Sequence, residues 1–225
     1  MKIILLGRTI VVIGVLLMTP VWCGAEEKLS LAELQQRAAQ GHAPAQTEMG
    51  MLYDDGLMVP QDYKQAYQWY RKAAVQGLAV AQMNLGALYA RGLGVPQDYR
   101  QAYRWYTKAA VQGLAVAQMN LGALYEQGLG VPQDYKQAYQ WYRKAAVQGL
   151  AEAQVNLGGL YAYGLGVQKN FVEAYAWFNS ATAQGNTRST RIKDLAKKQL
   201  DPASFAEAQA LSETYYKKYV MPFQK

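Results

Sequence analysis

Residues 81–116 read AQMNLGALYARGLGVPQDYRQAYRWYTKAAVQGLAV, and residues 117–152 read AQMNLGALYEQGLGVPQDYKQAYQWYRKAAVQGLAE. The two stretches agree at 30 of 36 positions, and looser copies fill residues 45–80 and 153–186. A fixed period of 36 residues marks supersecondary units that cannot bury their apolar faces alone and do so by stacking on one another. The chain is therefore expected to be a solenoid of four repeats, 45–80, 81–116, 117–152 and 153–186. Near-duplicate units build a long surface; they do not readily build one asymmetric catalytic pocket.

Within residues 81–113, Ala81, Leu85, Leu88 and Tyr89 fall at helical spacing and predict a first amphipathic helix, A. Gly86 leaves room for a neighbour to approach closely. Gly92 and Gly94 end helix A by supplying positive φ, and Pro96 stiffens the loop. Asp98 is an N-cap with Gln101 three residues on, as in a capping box. Helix B then runs from Tyr99 to near Gln112, with Ala102, Trp105, Tyr106, Ala109 and Ala110 as its apolar stripe. Short connections make A and B antiparallel neighbours.

The ends read as caps. Residues 26–44 hold a lone B-type helix at 31–40, because Ala38, Gln40, Gly41 and Ala43 recur as Ala74, Gln76, Gly77 and Ala79 one period later. In the last repeat Asn170 replaces the capping aspartate and Phe171 and Phe178 replace tyrosines. Beyond Gly185 the pattern stops, and residues 187–225 read as basic capping helices. The first covers 190–200; the second opens at Asp201-Pro202, with aspartate as N-cap and proline at the first helical position. Phe205, Ala208, Leu211 and Tyr215 would cover the last repeat, and residues 221–225 would fray.

Residues 1–25 have the layout of a secretory signal peptide: Lys2 and Arg8, an apolar run at 9–18, Pro20, and small residues at Cys23 and Ala25. The run is about half the ~20 residues that span a bilayer. Bulky Trp22 argues against lipid attachment at Cys23. Cleavage after Ala25 would leave no cysteine, so packing rather than disulfides would hold a periplasmic or secreted protein together, with no transmembrane segment. The net charge of +7 is uneven: residues 26–186 carry 13 basic and 12 acidic side chains, residues 187–225 eight and four. The basic tail is either a solvated helical face or a contact for an anionic envelope surface. An exported chain without a basic-aromatic motif is not expected to bind nucleic acid.

The string LGxLYxxGxGVPQDYxQAxxWYxKAAxQG, recurring at fixed spacing, resembles the Sel-like repeat family, a branch of the tetratricopeptide superfamily. It departs from the tetratricopeptide pattern in its 36-residue period and in Gln82, where an early tryptophan is usual. The resemblance implies an all-α, right-handed α-solenoid of antiparallel helix pairs. It also implies a role as adaptor, scaffold or regulator rather than enzyme. One branch that binds or hydrolyses β-lactams pairs cysteines within each repeat; this sequence lacks them, so that activity is not carried over.

Catalytic chemistry has little to work with. His42 is the only histidine and reads as a surface linker residue; no Cys–His or Ser–His–Asp arrangement and no metal-ligand spacing stands out. Asp54 and Asp55 are consecutive on a helix and point about 100° apart, a solvated helix end rather than an acid/base pair. The GLG segments lack phosphate-loop context. No cofactor or metal is implied.

In the superfamily that the chain resembles, helix A lines the concave face. By position this gives Met83, Asn84 and Arg91, then Met119, Asn120 and Gln127, then Asn156 and Tyr163. Asn84, Asn120 and Asn156 form a ladder, one rung per repeat. An amide both donates and accepts, matching a peptide unit, so the ladder either holds an extended peptide of a protein partner or bonds neighbouring loops or helix ends. The tryptophans Trp69, Trp105, Trp141 and Trp177 read as core. Tyr67, Tyr103, Tyr139 and Tyr175 are the candidates for an exposed aromatic stripe that would suit a glycan. Specificity is expected where the repeats diverge: Arg91 against Gln127, Arg104 against Gln140, Thr107 against Arg143.

Overall fold

The computed structural model describes residues 30–224. The expected signal segment at 1–25, with Cys23, lies outside the described residues. Within them every regular element is helical: α1 Leu31–Ala39, α2 Ala43–Asp55, α3 Tyr63–Val75, α4 Ala79–Arg91, α5 Tyr99–Val111, α6 Ala115–Gln127, α7 Tyr135–Ala146, α8 Ala151–Tyr163, α9 Phe171–Ala183, α10 Thr187–Lys197 and α11 Pro202–Tyr219, closed by a 3₁₀ turn at Met221–Phe223. Helices α2/α3, α4/α5, α6/α7 and α8/α9 are the A/B hairpins. Each B helix also packs on the A helix of the next repeat, so the stack is an all-α solenoid. No helix of the described residues is long and apolar enough to cross a membrane.

The local signals act as their chemistry requires. Asp98 Oδ1 accepts from the N–H groups of Arg100 and Gln101 at 2.9 and 3.0 Å, and Asp62, Asp134 and Asn170 repeat the arrangement. The return bond from the Gln101 side chain is not made, so this is a cap without a box. A full capping box is found instead at Ser30 and Glu33. Gly92 ends α4 in the left-handed region, φ 67°, donating its N–H to Leu88 O. Gly94, φ 71°, presses on the backbone of the preceding repeat: a Cβ there would lie 2.2 Å from Tyr63 O. Only glycine allows the loop to seat against the previous B helix.

The core is a series of clusters, each drawn from one B helix and the next A helix. Ala66, Tyr70, Ala73 and Ala74 meet Ala81, Leu85 and Leu88; Ala102, Tyr106, Ala109 and Ala110 meet Ala117, Leu121 and Leu124. Inside each hairpin an aromatic ring lies on a bare glycine, as Tyr106 does on Gly86. A ladder of buried amides runs through the stack. Gln82 Nε2 donates to Ala74 O at 3.1 Å, and its Oε1 accepts from Gln112 Nε2 at 2.8 Å. Gln118 and Gln148 repeat this, as do Gln154 and Gln184. These bonds satisfy carbonyls at the C-terminal end of each B helix, which lack intrahelical partners.

Beyond residue 186 the pattern continues further than the sequence suggests. Asn186 caps α10, and Thr187 stands 36 residues after Ala151. Helix α10 is thus the A helix of a decayed fifth unit, three residues earlier than the expected start at 190. Helix α11 does not complete that hairpin; it lies on α9. Phe205 meets Tyr175 edge-on at 5.4 Å, Ala208 is fully buried, and Tyr215 and Tyr219 cover Trp177. The end does not fray as expected through residue 224. Val220 is buried, the Phe223 ring rests against Gly149, and Gln224 Nε2 bonds Ala183 O at 3.3 Å.

Candidate functional site

The A helices carry the expected binding positions, but at unequal depth. Met83 and Asn84 are buried, Met119, Asn120 and Asn156 are half-buried, and Arg91, Gln127 and Tyr163 are exposed. Among the described residues Asn84 Nδ2 is a buried side-chain nitrogen without a hydrogen-bond partner. Leaving such a donor unpaired costs about 1–3 kcal/mol.

Asn156 and Tyr163 come together in a groove of about 410 Å³ between α8 and α10. Gly159 on α8, Arg188, Ile192 and Leu195 on α10, and Glu126 from the preceding A helix complete its walls. Tyr163 and Leu195 stand 78% and 53% exposed. The other named positions do not line this groove. The wall from α10 was missed in the sequence because residues 187–197 read as a generic basic cap. The 36-residue step from Ala151 to Thr187 was the signal that could have found it.

Tyrosines dominate the electrostatics. Tyr70 donates its hydroxyl to Asp54 Oδ2 at 3.4 Å and Tyr142 donates to Glu126, so neither carboxylate is a plain solvated helix end. Burial, then the carboxylate beside each, pushes both phenols far above their ordinary range. His42 is the N-cap of α2, its Nδ1 accepting from Ala45 N–H at 3.4 Å. Among the described residues no group of three or more His, Cys, Asp or Glu could hold a metal ion.

The tyrosine stripe expected from the sequence is engaged internally. Tyr67, Tyr103 and Tyr139 each meet Tyr89, Tyr125 and Tyr161 edge-on at 5.7–5.8 Å, with hydroxyls 3.0–3.1 Å apart. Tyr175 is buried against Phe205. Trp69, Trp105 and Trp141 are half-buried against the core clusters, with Lys72, Lys108 and Lys144 4.0–4.3 Å above them, and Trp177 is fully core. The divergent positions fall on two faces. Arg91 and Gln127 end the A helices, whereas Arg104, Gln140, Thr107 and Arg143 lie on the B helices.

The comparisons agree with this architecture. The Sel1 repeat matches at residues 43–78, 79–114, 115–150 and 151–186. A protective antigen of uropathogenic Escherichia coli with an SLR fold is 40% identical, with a TM-score of 0.82 over 89% of this chain. The alignment covers 44% of that antigen, so this chain spans less than half its length. A Sel1 repeat protein from Oxalobacter formigenes is 35% identical over 82% of this chain and 75% of its own, with a TM-score of 0.71. A search of the curated proteins gives no match. With four tandem matches across most of its length, helix pairs stacked in series and the same fold in these relatives, the chain belongs to the Sel1 repeat family.

Proposed function

We propose that this chain is an exported, non-enzymatic scaffold that holds an extended segment of a partner protein along its A helices. Sel1 repeats serve protein interaction, and a stack of near-duplicates offers a long face for it. The observation that carries the reading is the pair Asn120 and Asn156, half-buried amides one period apart on the A helices, the second lining the groove at α8 and α10. They offer donors and acceptors in a row, as a peptide backbone requires, and Asn84 one period earlier lies buried in the same register. The groove at α8 and α10 adds an aromatic ring, Tyr163, and a cation, Arg188, for a side chain or terminal carboxylate.

Photo-crosslinking in the native envelope tests this. A photoreactive residue at Asn120 or Tyr163 should capture one partner protein, while the same residue at exposed loop position Gln133 captures none. Capture at all three positions alike, or at Gln133 alone, contradicts it.

Exposed Arg188, Arg191 and Lys197 on α10, with Lys198 at its C-cap, support a second reading, contact with an anionic envelope surface. Binding of that kind falls steeply as salt rises from 0.05 to 0.5 M, and peptide binding in the groove does not. Those molarities are about the range over which the Debye length shrinks severalfold.

A further inference from the structure

The outer face of helix B carries a site that the fourth repeat fills and the second leaves open. On α9, Trp177 is 3% exposed because α11 lies on it, with Tyr215 and Tyr219 at 4.4 and 5.4 Å between ring centroids. Tyr215 also donates its hydroxyl to Glu173 at 2.9 Å. Two periods earlier, Glu173, Tyr175, Ala176, Trp177, Asn179 and Ser180 correspond to Gln101, Tyr103, Arg104, Trp105, Thr107 and Lys108. Those six residues line a depression of about 440 Å³ on α5.

The match extends along the groove. At the filled site Val147 packs against the same buried cluster as Tyr215 and Tyr219, and Phe223 rests on Gly149. Two periods back, Val75 is 68% exposed and a Cβ on Gly77 would meet nothing within 4 Å. The floor is therefore the same and uncovered, while the rim differs in charge. Ala176 and Ser180 are small and neutral and let α11 close in. Arg104 and Lys108 are exposed cations, with Lys108 Nζ 4.3 Å from the centre of Trp105. An exposed ammonium over a half-buried indole is held by only about 0.5–1 kcal/mol, so a carboxylate can draw it aside and uncover the ring.

We propose that the face running from Trp105 on α5 to Val75 and Gly77 at the end of α3 docks an amphipathic helix of a partner protein. That helix presents aromatic side chains four residues apart, as Tyr215, Tyr219 and Phe223 are, and a carboxylate flanking them, where α11 has Lys218 over the Tyr219 ring. The chain's own α11 is a poor occupant in trans, because Lys218 beside the docked rings would meet the cations Arg104 and Lys108. This face is separate from the A-helix groove, so the two readings stand or fall independently.

The test uses the full chain and two synthetic peptides of residues 202–224, one unmodified and one, the acidic peptide, carrying Lys218→Glu. Indole N–H signals in NMR locate binding and fluorescence anisotropy measures it. The acidic peptide is expected to bind at least tenfold more tightly than the unmodified one and to shift the Trp105 indole. The double variant Arg104→Ala/Lys108→Ser reproduces the neutral rim with two exposed positions, so the fold is kept. It is expected to abolish or reverse the preference. The proposal is overturned if the acidic peptide does not bind, if it shifts an indole other than that of Trp105, or if affinity ignores the double variant. It is equally overturned if the chain self-associates through Trp105 without peptide.

Discussion

The ring of Tyr106 lies directly on the backbone of Gly86, where an added Cβ would sit 2.7 Å from Cδ1. Gly86→Ala therefore drives a methyl into a fully packed ring. Overpacking of this kind costs about 1–3 kcal/mol, which exceeds the ~1 kcal/mol that alanine gains in a helix. Urea unfolding should show a lower midpoint.

Gly159 supplies the matched control. It too is helical, but a Cβ there would meet nothing within 4 Å. Gly159→Ala is expected to stabilise the protein by about 0.5–1 kcal/mol. If both glycine variants move the midpoint in the same direction, close approach is not what Gly86 provides.

Gln118 links two repeats, donating to Ala110 O at 3.1 Å and accepting from Gln148 at 2.8 Å. Gln118→Ala removes both of these bonds, while Ala110 O keeps the Gly113 N–H and Gln148 Nε2 keeps Lys144 O. At about 0.5–1.5 kcal/mol for each bond, the expected loss is about 1–3 kcal/mol by denaturant unfolding. A variant as stable as the parent would show that the amide ladder is ornamental.

The paired tyrosines set an alkaline limit. Burial, then the hydrogen bond from its partner, pushes the phenols of Tyr89 and Tyr125 up to about 12, from an ordinary value of 10.0. A raised pKa means that the folded state favours the neutral phenol. That stability is fully present below about pH 10 and is lost as pH rises through about 12. Thermal melts across this window should fall with pH, while absorbance shows phenolate appearing later than in the unfolded chain.

Most of the scaffold was legible because its causes are local. Asp98 caps, Gly92 ends a helix, and Tyr106 beside Ala102 and Ala109 defines a buried stripe; each acts within one turn of its own position. What stayed hidden depends on neighbours. Residues 81–88 and 117–124 are both AQMNLGAL, yet Asn84 is buried and Asn120 half-exposed. The preceding A helices differ in sequence, with Met51 before the first and the smaller Ala87 at the same register before the second. Trp105 and Trp177 likewise occupy one register position, and only the return of α11 over α9 makes the second core. No periodicity reports a helix that folds back.

The central claim is that the asparagine ladder faces a partner's backbone. Its most direct test is titration of the crosslinked partner, once purified, against Asn84→Ala/Asn120→Ala/Asn156→Ala. The account predicts affinity at least tenfold weaker with stability unchanged or raised, since among the described residues Asn84 Nδ2 gives up no hydrogen bond. Unchanged affinity in a folded triple variant would contradict it.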